Sequence, residues 1–376
     1  QLAGSTERLC DAVATGSLDS PPLRQEAALL RALLDQCRVA VDSITDHLEE
    51  FGISVDIVYE VDQLRARVRR IEQLLDCVLS PAPGPELLRL TLSLVRTLEQ
   101  RRGVRPLLSR HYAQLARKVV ERSAETGEHY IAHTREEYGS MLRRAAGGGA
   151  VLAGTTLLKF GILALGLTAF WGGFWAGANY ALSFLIIMLM HWTVATKQPA
   201  MTAAAIAQRL GDMRSDAAVE GFVDDVVHLL RSQAAGIFGN LALCAPLVLA
   251  AQWLSWWLAG APLVGEHEAE HVLDTLTLLG PTALYAAFTG VLLFTSSLIA
   301  GWAENWFVFH RLDSAIAWNP RIVARLGASR AQRWSNWWRY NISGVAANVS
   351  LGMMLGVVPV VMAFVGLPLD VRHVTL

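Results

Sequence analysis

Five stretches of this chain are apolar over about the twenty residues that a bilayer core demands of a helix. They run roughly over 150–170, 173–195, 235–259, 282–309 and 344–366. Backbone buried in hydrocarbon must satisfy its own hydrogen bonds, so each stretch is expected to be a helix. A membrane β-barrel would alternate polar and apolar positions, and Leu182 to Met190 does not.

The charge distribution separates this part from what precedes it. Residues 1–145 hold 20 Lys/Arg and 21 Asp/Glu, whereas residues 146–376 hold 12 and 12. The first part therefore reads as a water-soluble domain and the second as a membrane domain. A single soluble globule, a disordered chain and a disulfide scaffold are excluded. The four cysteines, Cys10, Cys37, Cys77 and Cys244, form no C-x-x-C pair, which fits reduced thiols. The formal net charge of −1 gives the chain no bias toward nucleic acid.

Within the first part, apolar residues recur at helical spacing. Val55, Val58, Val61, Leu64, Val68, Ile71, Leu74, Leu75 and Val78 are separated mostly by three and four, the pattern of one helix face. Breakers at Pro21-Pro22, Gly52, Pro81 to Pro85 and Pro106 divide the region into helices near 7–16, 23–50, 55–79, 86–102 and 107–144. The expectation is an all-α fold: a cytosolic helical bundle over 1–145, then a polytopic α-helical membrane domain over 146–376. Gly147-Gly148-Gly149 marks the boundary. Five is an odd number, and a further span beyond residue 376 is expected.

Lys/Arg content orients the spans. The 196–234 link carries Lys197, Arg209, Arg214 and Arg231, and the 310–343 link carries six arginines. The 260–281 link has none, but has Glu266, Glu268, Glu270 and Asp274. The basic links and the soluble domain are expected on the cytoplasmic side, and the acidic link opposite.

Several motifs bear on chemistry. His267-Glu268-Ala269-Glu270-His271 matches H-E-x-x-H, in which two histidines one turn apart hold zinc and the glutamate activates its water. With Glu270 inside it and no further ligand evident, it reads as an acidic solvated segment. No metal is assigned, and His267, Glu268 and His271 are the residues that would hold one. His228-x-x-Arg231 is a fragment of the tyrosine-recombinase pattern. Its candidate nucleophiles, Tyr285 and Tyr340, lie inside the fourth span and beyond it, out of reach of a DNA phosphate. Arg65, Arg67, Arg69 and Arg70 form a basic run diluted by Glu60, Asp62, Glu72 and Asp76, so it reads as a solvated face.

Trp334, Trp337 and Trp338 share a helical face with Arg333 close by, a combination suited to the headgroup layer. Gly173-x-x-x-Gly177 and Gly352-x-x-x-Gly356 let helices approach closely, within the chain or between two copies, and the intramolecular reading is preferred. The polar residues inside the spans are Lys159, Asn179, Asn240, Glu304 and Asn348, with Asn305 beside Glu304. Ionisable groups are expensive in hydrocarbon, so these form the candidate intramembrane site.

Gly301-Trp302-Ala303-Glu304-Asn305-Trp306, Asn341-Ile342-Ser343-Gly344, Asn348-Val349-Ser350-Leu351-Gly352, Pro368 to Thr375 and Ser54-Val55-Asp56-Ile57-Val58 carry a family resemblance. The chain resembles the bacterial membrane proteins described as site-specific recombinases of the Gcr type, over most of its length. The resemblance implies a cytosolic helical region followed by several spans, and the name implies DNA recombination. No catalytic residue carries over from it.

The combined expectation is a multi-pass protein of the bacterial inner membrane with its N-terminal domain in the cytoplasm. It acts as a non-catalytic scaffold or envelope factor, with the lipid bilayer and a protein partner of the helical domain as its contacts. Neither a cofactor nor nucleic acid is expected. The alternatives are a transporter or channel built on the intramembrane polar site and, further off, recombination as the family name implies.

Overall fold

The computed structural model describes residues 2–15, 21–51, 54–80, 83–100, 131–195, 202, 216–277 and 280–371. Among them every regular element is helical. The chain divides into two compact units, Gln1–Leu115 with Asn305–Ala315, and Ala116–Glu304 with Ile316–Leu376.

The N-terminal region contributes α1 (Leu2–Thr15), α2 (Pro21–Phe51), α3 (Val55–Leu79) and α4 (Pro83–Gln100). Each packs on its sequence neighbour. Leu23, Ala27, Leu30 and Leu34 follow one another at steps of four, three and four and are all buried on one face of α2, against Leu9 of α1 and Leu75 of α3. Arg31 reaches Asp76 at 2.9 Å, and Arg65 reaches Asp42 at 2.8 Å. As numbers rise along α2 they fall along α3, so the two helices are antiparallel. These exposed ion pairs mark register; each contributes at most about 1 kcal/mol. Ser54 caps α3, its hydroxyl accepting from the Ile57 amide at 3.1 Å. The apolar face read from periodicity on α3 is only partly used. Val58, Val61 and Leu75 are buried, whereas Leu64, Ile71, Leu74 and Val78 are exposed.

Five helices are long and apolar enough to cross a membrane. They are α5 (Arg135–Ala164), α6 (Ala169–Leu189), α7 (Asp216–Ala259), α9 (Thr282–Phe309) and α12 (Ala328–Phe364). The short α8 (Glu266–Thr275) lies between α7 and α9, and α10 (Leu312–Trp318) and α11 (Pro320–Leu326) lie between α9 and α12. The fourth span matches its sequence bounds. Of the helix expected over 107–144, residues 107–130 lie outside the described residues; the backbone over 131–134 is non-helical, and α5 starts at Arg135. A reciprocal capping box makes that start: Thr134 Oγ1 accepts from the Glu137 amide at 3.2 Å, and Glu137 Oε2 accepts from the Thr134 amide at 3.2 Å. From there α5 runs unbroken through Gly147-Gly148-Gly149, which therefore lie within a helix.

α5 packs along α7 and α6, and α6 along α12. All five spans feed one apolar core, through Leu152, Phe184, Cys244, Leu292 and Leu351 among others. At 37 residues α12 is about 55 Å long, nearly twice a bilayer core, so its first turns extend beyond the hydrocarbon.

Candidate functional site

The two ends of the membrane helices differ. At one end lie Arg143, Arg144 and the arginines of α11 and early α12. At the other lie α8 and its acids. The candidate site is built at the basic end, where α5 begins and α6 stops.

Its framework is Asn240 of α7, fully buried. The side-chain Nδ2 donates to the Ala145 carbonyl of α5 at 2.6 Å and to the Thr193 carbonyl at 2.9 Å. Its Oδ1 accepts from the Ala195 amide at 2.8 Å. One amide thus ties α5, α7 and the segment after α6 together, and two of its three bonds fall to Thr193 and Ala195 backbone groups that lie outside the spans' own helical bonding. The Thr193 amide donates in turn to the Arg144 carbonyl at 3.2 Å. Such close approach explains the glycines. A Cβ at Gly147 would stand 2.6 Å from Trp192 Cδ2, and one at Gly149 would strike the Asn240 backbone. Gly239 meets Ala145 in the same way, at 2.6 Å.

Deeper in the domain, Asn179 and its neighbours close a polar circuit between α5 and α6. Thr155 Oγ1 donates to Ser183 Oγ at 2.7 Å, and Ser183 Oγ to the Asn179 carbonyl at 2.8 Å. Asn179 Nδ2 returns to the Thr155 carbonyl at 2.9 Å. The two G-x-x-x-G motifs face each other across α6 and α12: a Cβ on Gly173 would lie 2.7 Å from the Gly356 carbonyl, and one on Gly177 3.1 Å from that of Met353. Their packing is intramolecular, as the sequence reading preferred.

A cavity of about 580 Å³ opens at the basic end. The 131–134 segment and α5 supply His133, Ser140, Met141 and Arg144. The end of α6 and the turn after it supply Phe184, Ile187, Met188 and His191, and α12 supplies Asn348. The 131–134 segment is pinned to α7. The Ala132 amide donates to Ser232 Oγ at 2.8 Å, and the His133 and His228 rings lie 4.9 Å apart. The Arg231 guanidinium sits 5.9 Å over the Tyr138 ring. Of this recombinase-like pair in sequence, His228 thus faces the 131–134 segment and Arg231 the first turn of α5. Glu137 Oε2 accepts from the His133 amide at 2.8 Å as well as from Thr134, so its charge is turned to backbone donors.

The residues singled out from sequence are dispersed. Asn179 belongs to the circuit, while Asn348 lines the cavity and donates to the Gly344 carbonyl at 2.7 Å. Lys159 is half-buried one turn beyond Thr155 on α5, and Glu304 and Asn305 are half-buried in the last turns of α9. Trp334, Trp337 and Arg333 are exposed on α12, and Trp338 is half-buried with its ring 5.1 Å from that of Trp337. His267, Glu268 and His271 fall on α8 by backbone; their side chains lie outside the described residues, as do Lys197, Arg209 and Arg214. Sequence reading missed the cavity, because His133, Arg144 and His191 come from three separate segments with no shared motif.

Long apolar helices around one shared core define an all-helical, multi-pass membrane protein. The chain belongs to the site-specific recombinase family, whose model matches residues 1–376. No curated protein and no solved structure matches it significantly.

Proposed function

We propose that this protein is a non-catalytic scaffold of the bacterial inner membrane. Its spans hold the N-terminal helical domain at the cytoplasmic face, where that domain takes a protein partner. The observation that carries this reading is how the buried polar groups are spent. Asn240 is committed to three backbone groups and Asn179 to the Thr155 carbonyl. A side chain that passes a cargo along must release and retake partners, whereas these bonds fasten helices to one another. The helical domain adds support: Leu87, Leu88, Leu92 and Val95 lie toward one side of α4 and are all exposed.

Photo-crosslinkers placed at Leu88 and Leu92 of the full chain in cells should trap one discrete protein. Adducts confined to this chain and to lipid would overturn the partner. Transport is favoured by one observation, that Asn348 lines the cavity. Solute flux through proteoliposomes of the full chain would establish that reading in place of the scaffold. Recombination is what the family description names, and strand exchange by the purified full chain would likewise displace the scaffold.

A further inference from the structure

The basic run of α3 meets a second set of arginines, on α4, in a groove of about 750 Å³ between the two helices. Arg67, Arg69 and Arg70 come from α3, and Arg89 and Arg96 from α4. Among the described residues no carboxylate lines this groove. The fold thus sorts charges that the sequence mixes. Arg65 and Asp76 are engaged with α2, where Asp42 and Arg31 are their partners. Arg89 has Glu86 one turn back on its own helix, at 2.7 Å. No described carboxylate pairs with Arg67, Arg69, Arg70 or Arg96. Their guanidinium groups stay charged at any physiological pH.

The register of the two helices supplies an independent observation. Ser93 Oγ donates to Gln73 Oε1 at 3.0 Å, which fixes how α3 lies against α4. Only residues 80–82 link the helices, so they run antiparallel. Arg70 lies one turn before Gln73, and Arg96 one turn after Ser93. Both therefore fall at the same level of the groove. Two like charges at one level repel each other unless an anion joins them. Beside them Ile71 and Leu92 also line the groove. Both are exposed, and neither belongs to the buried clusters of the helical domain.

We propose that this groove takes an acidic segment of the protein that the helical domain recruits, with its carboxylates on Arg67, Arg70 and Arg96 and its apolar side chains over Ile71 and Leu92. The inference rests on the scaffold reading and names the chemistry of the partner. Arginine meets a carboxylate through two parallel N–H donors, so a few such contacts fix a peptide in place. Nucleic acid would match the arginines but not their surroundings. Among the described residues no aromatic ring lines the groove for base stacking, and residues 1–145 balance 20 Lys/Arg against 21 Asp/Glu. Free phosphate would leave Ile71 and Leu92 in water, whereas an amphipathic peptide covers them.

The test places a photo-crosslinker at Leu92 of the full chain in cells and sequences the joined peptide by mass spectrometry. That peptide should be rich in Asp and Glu. R70Q/R96Q should lower the adduct about tenfold, the loss of two charge-assisted contacts, while R70K/R96K should retain most of it. R31Q/R38Q removes equal charge from arginines that have carboxylates of their own, and should leave the adduct unchanged. The purified R70Q/R96Q chain should match or exceed the parental thermal midpoint, since two facing like charges are gone. A joined peptide without excess Asp and Glu would overturn the acidic segment and leave the partner standing. So would an adduct that survives R70Q/R96Q, or an equal loss in R31Q/R38Q. Absence of any protein adduct at Leu88 and Leu92 of the parental chain would overturn the partner and the segment together. Crosslinks to nucleic acid or lipid that R70Q/R96Q abolishes would assign the groove to that occupant instead.

Discussion

The side-chain amide of Asn240 lies 2.6 Å from the carbonyl oxygen of Ala145, a residue 95 positions earlier in the chain. The bond joins the third span to the first at the point where both approach the basic end. Three backbone groups from two other segments converge on one side chain, whose two amide hydrogens and carbonyl oxygen are all engaged. The surrounding glycines are what let the backbones come that close.

Replacing Asn240 with alanine should therefore destabilise the membrane domain markedly. The Thr193 carbonyl and the Ala195 amide would lose this partner and the Ala145 carbonyl its second one, all at buried residues. Interhelical hydrogen bonds in membranes average about 0.6 kcal/mol, and unpaired buried groups raise the loss, so about 2 kcal/mol is expected for the three. Thermal unfolding in detergent measures it. N341A is the control: Asn341 donates to the Trp337 carbonyl one turn back at 2.8 Å, and its loss should cost under about 0.5 kcal/mol.

The capping box at the entry to α5 makes a smaller, local prediction. T134A removes the hydroxyl that accepts from the Glu137 amide and leaves the start of the helix half-capped. A loss of about 1 kcal/mol is expected, with faster amide exchange over the first turn of α5. Unchanged exchange there would show that Glu137 and Ser232 hold the 131–134 segment without the Thr134 hydroxyl.

What could be read from sequence divides along physical lines. α3 and α9 appeared with nearly their true bounds because local signals coincide there: Ser54 caps the one, and the apolar run of the other lies between Pro281 and His310. α5 did not, because a run of three glycines ordinarily weakens a helix. In the fold those glycines are contact surface, and only their partners, Trp192, Thr193 and Asn240, reveal it. Asn240 was visible as a polar residue within a span, yet nothing local shows that it would clasp Ala145 and Ala195. The cavity was illegible for the same reason: its lining runs from His133 to His191 and comes together only when α5 and α6 lie side by side.

Membrane orientation gives a prediction of its own. On the proposed orientation, alternating Lys/Arg content is expected to place α11 and the start of α12 in the cytoplasm and α8 on the other face. Reporter fusions after residue 325 should read as cytoplasmic and fusions after residue 268 as periplasmic. Among the left-handed positions that follow the spans, His191 lies at the basic end and Gly166, Gly260 and Gly366 at the other. A periplasmic reading at 325 would invert the whole arrangement.

Gly172 and Gly173 are adjacent in sequence and should respond oppositely to the same change. Both lie near the start of α6, where alanine raises intrinsic helix propensity by about 1 kcal/mol over glycine. A Cβ on Gly172 meets nothing within 4 Å, so G172A should be neutral or slightly stabilising. A Cβ on Gly173 would stand 2.7 Å from the Gly356 carbonyl and against the Val360 side chain. The valine can turn away, but the carbonyl belongs to the backbone of α12 and moves only if the helices separate. Separation would also loosen the Gly177 contact one turn further along, since the same two helices make both. G173A should therefore lower the thermal midpoint despite its better propensity, with a stability loss of about 1–3 kcal/mol in the manner of an overpacked core. G356A should do the same, and the double variant G173A/G356A should lose less than the sum, because one displacement of the helices accommodates both methyls. Equal midpoints for G172A and G173A would mean that α6 and α12 do not meet along these glycines.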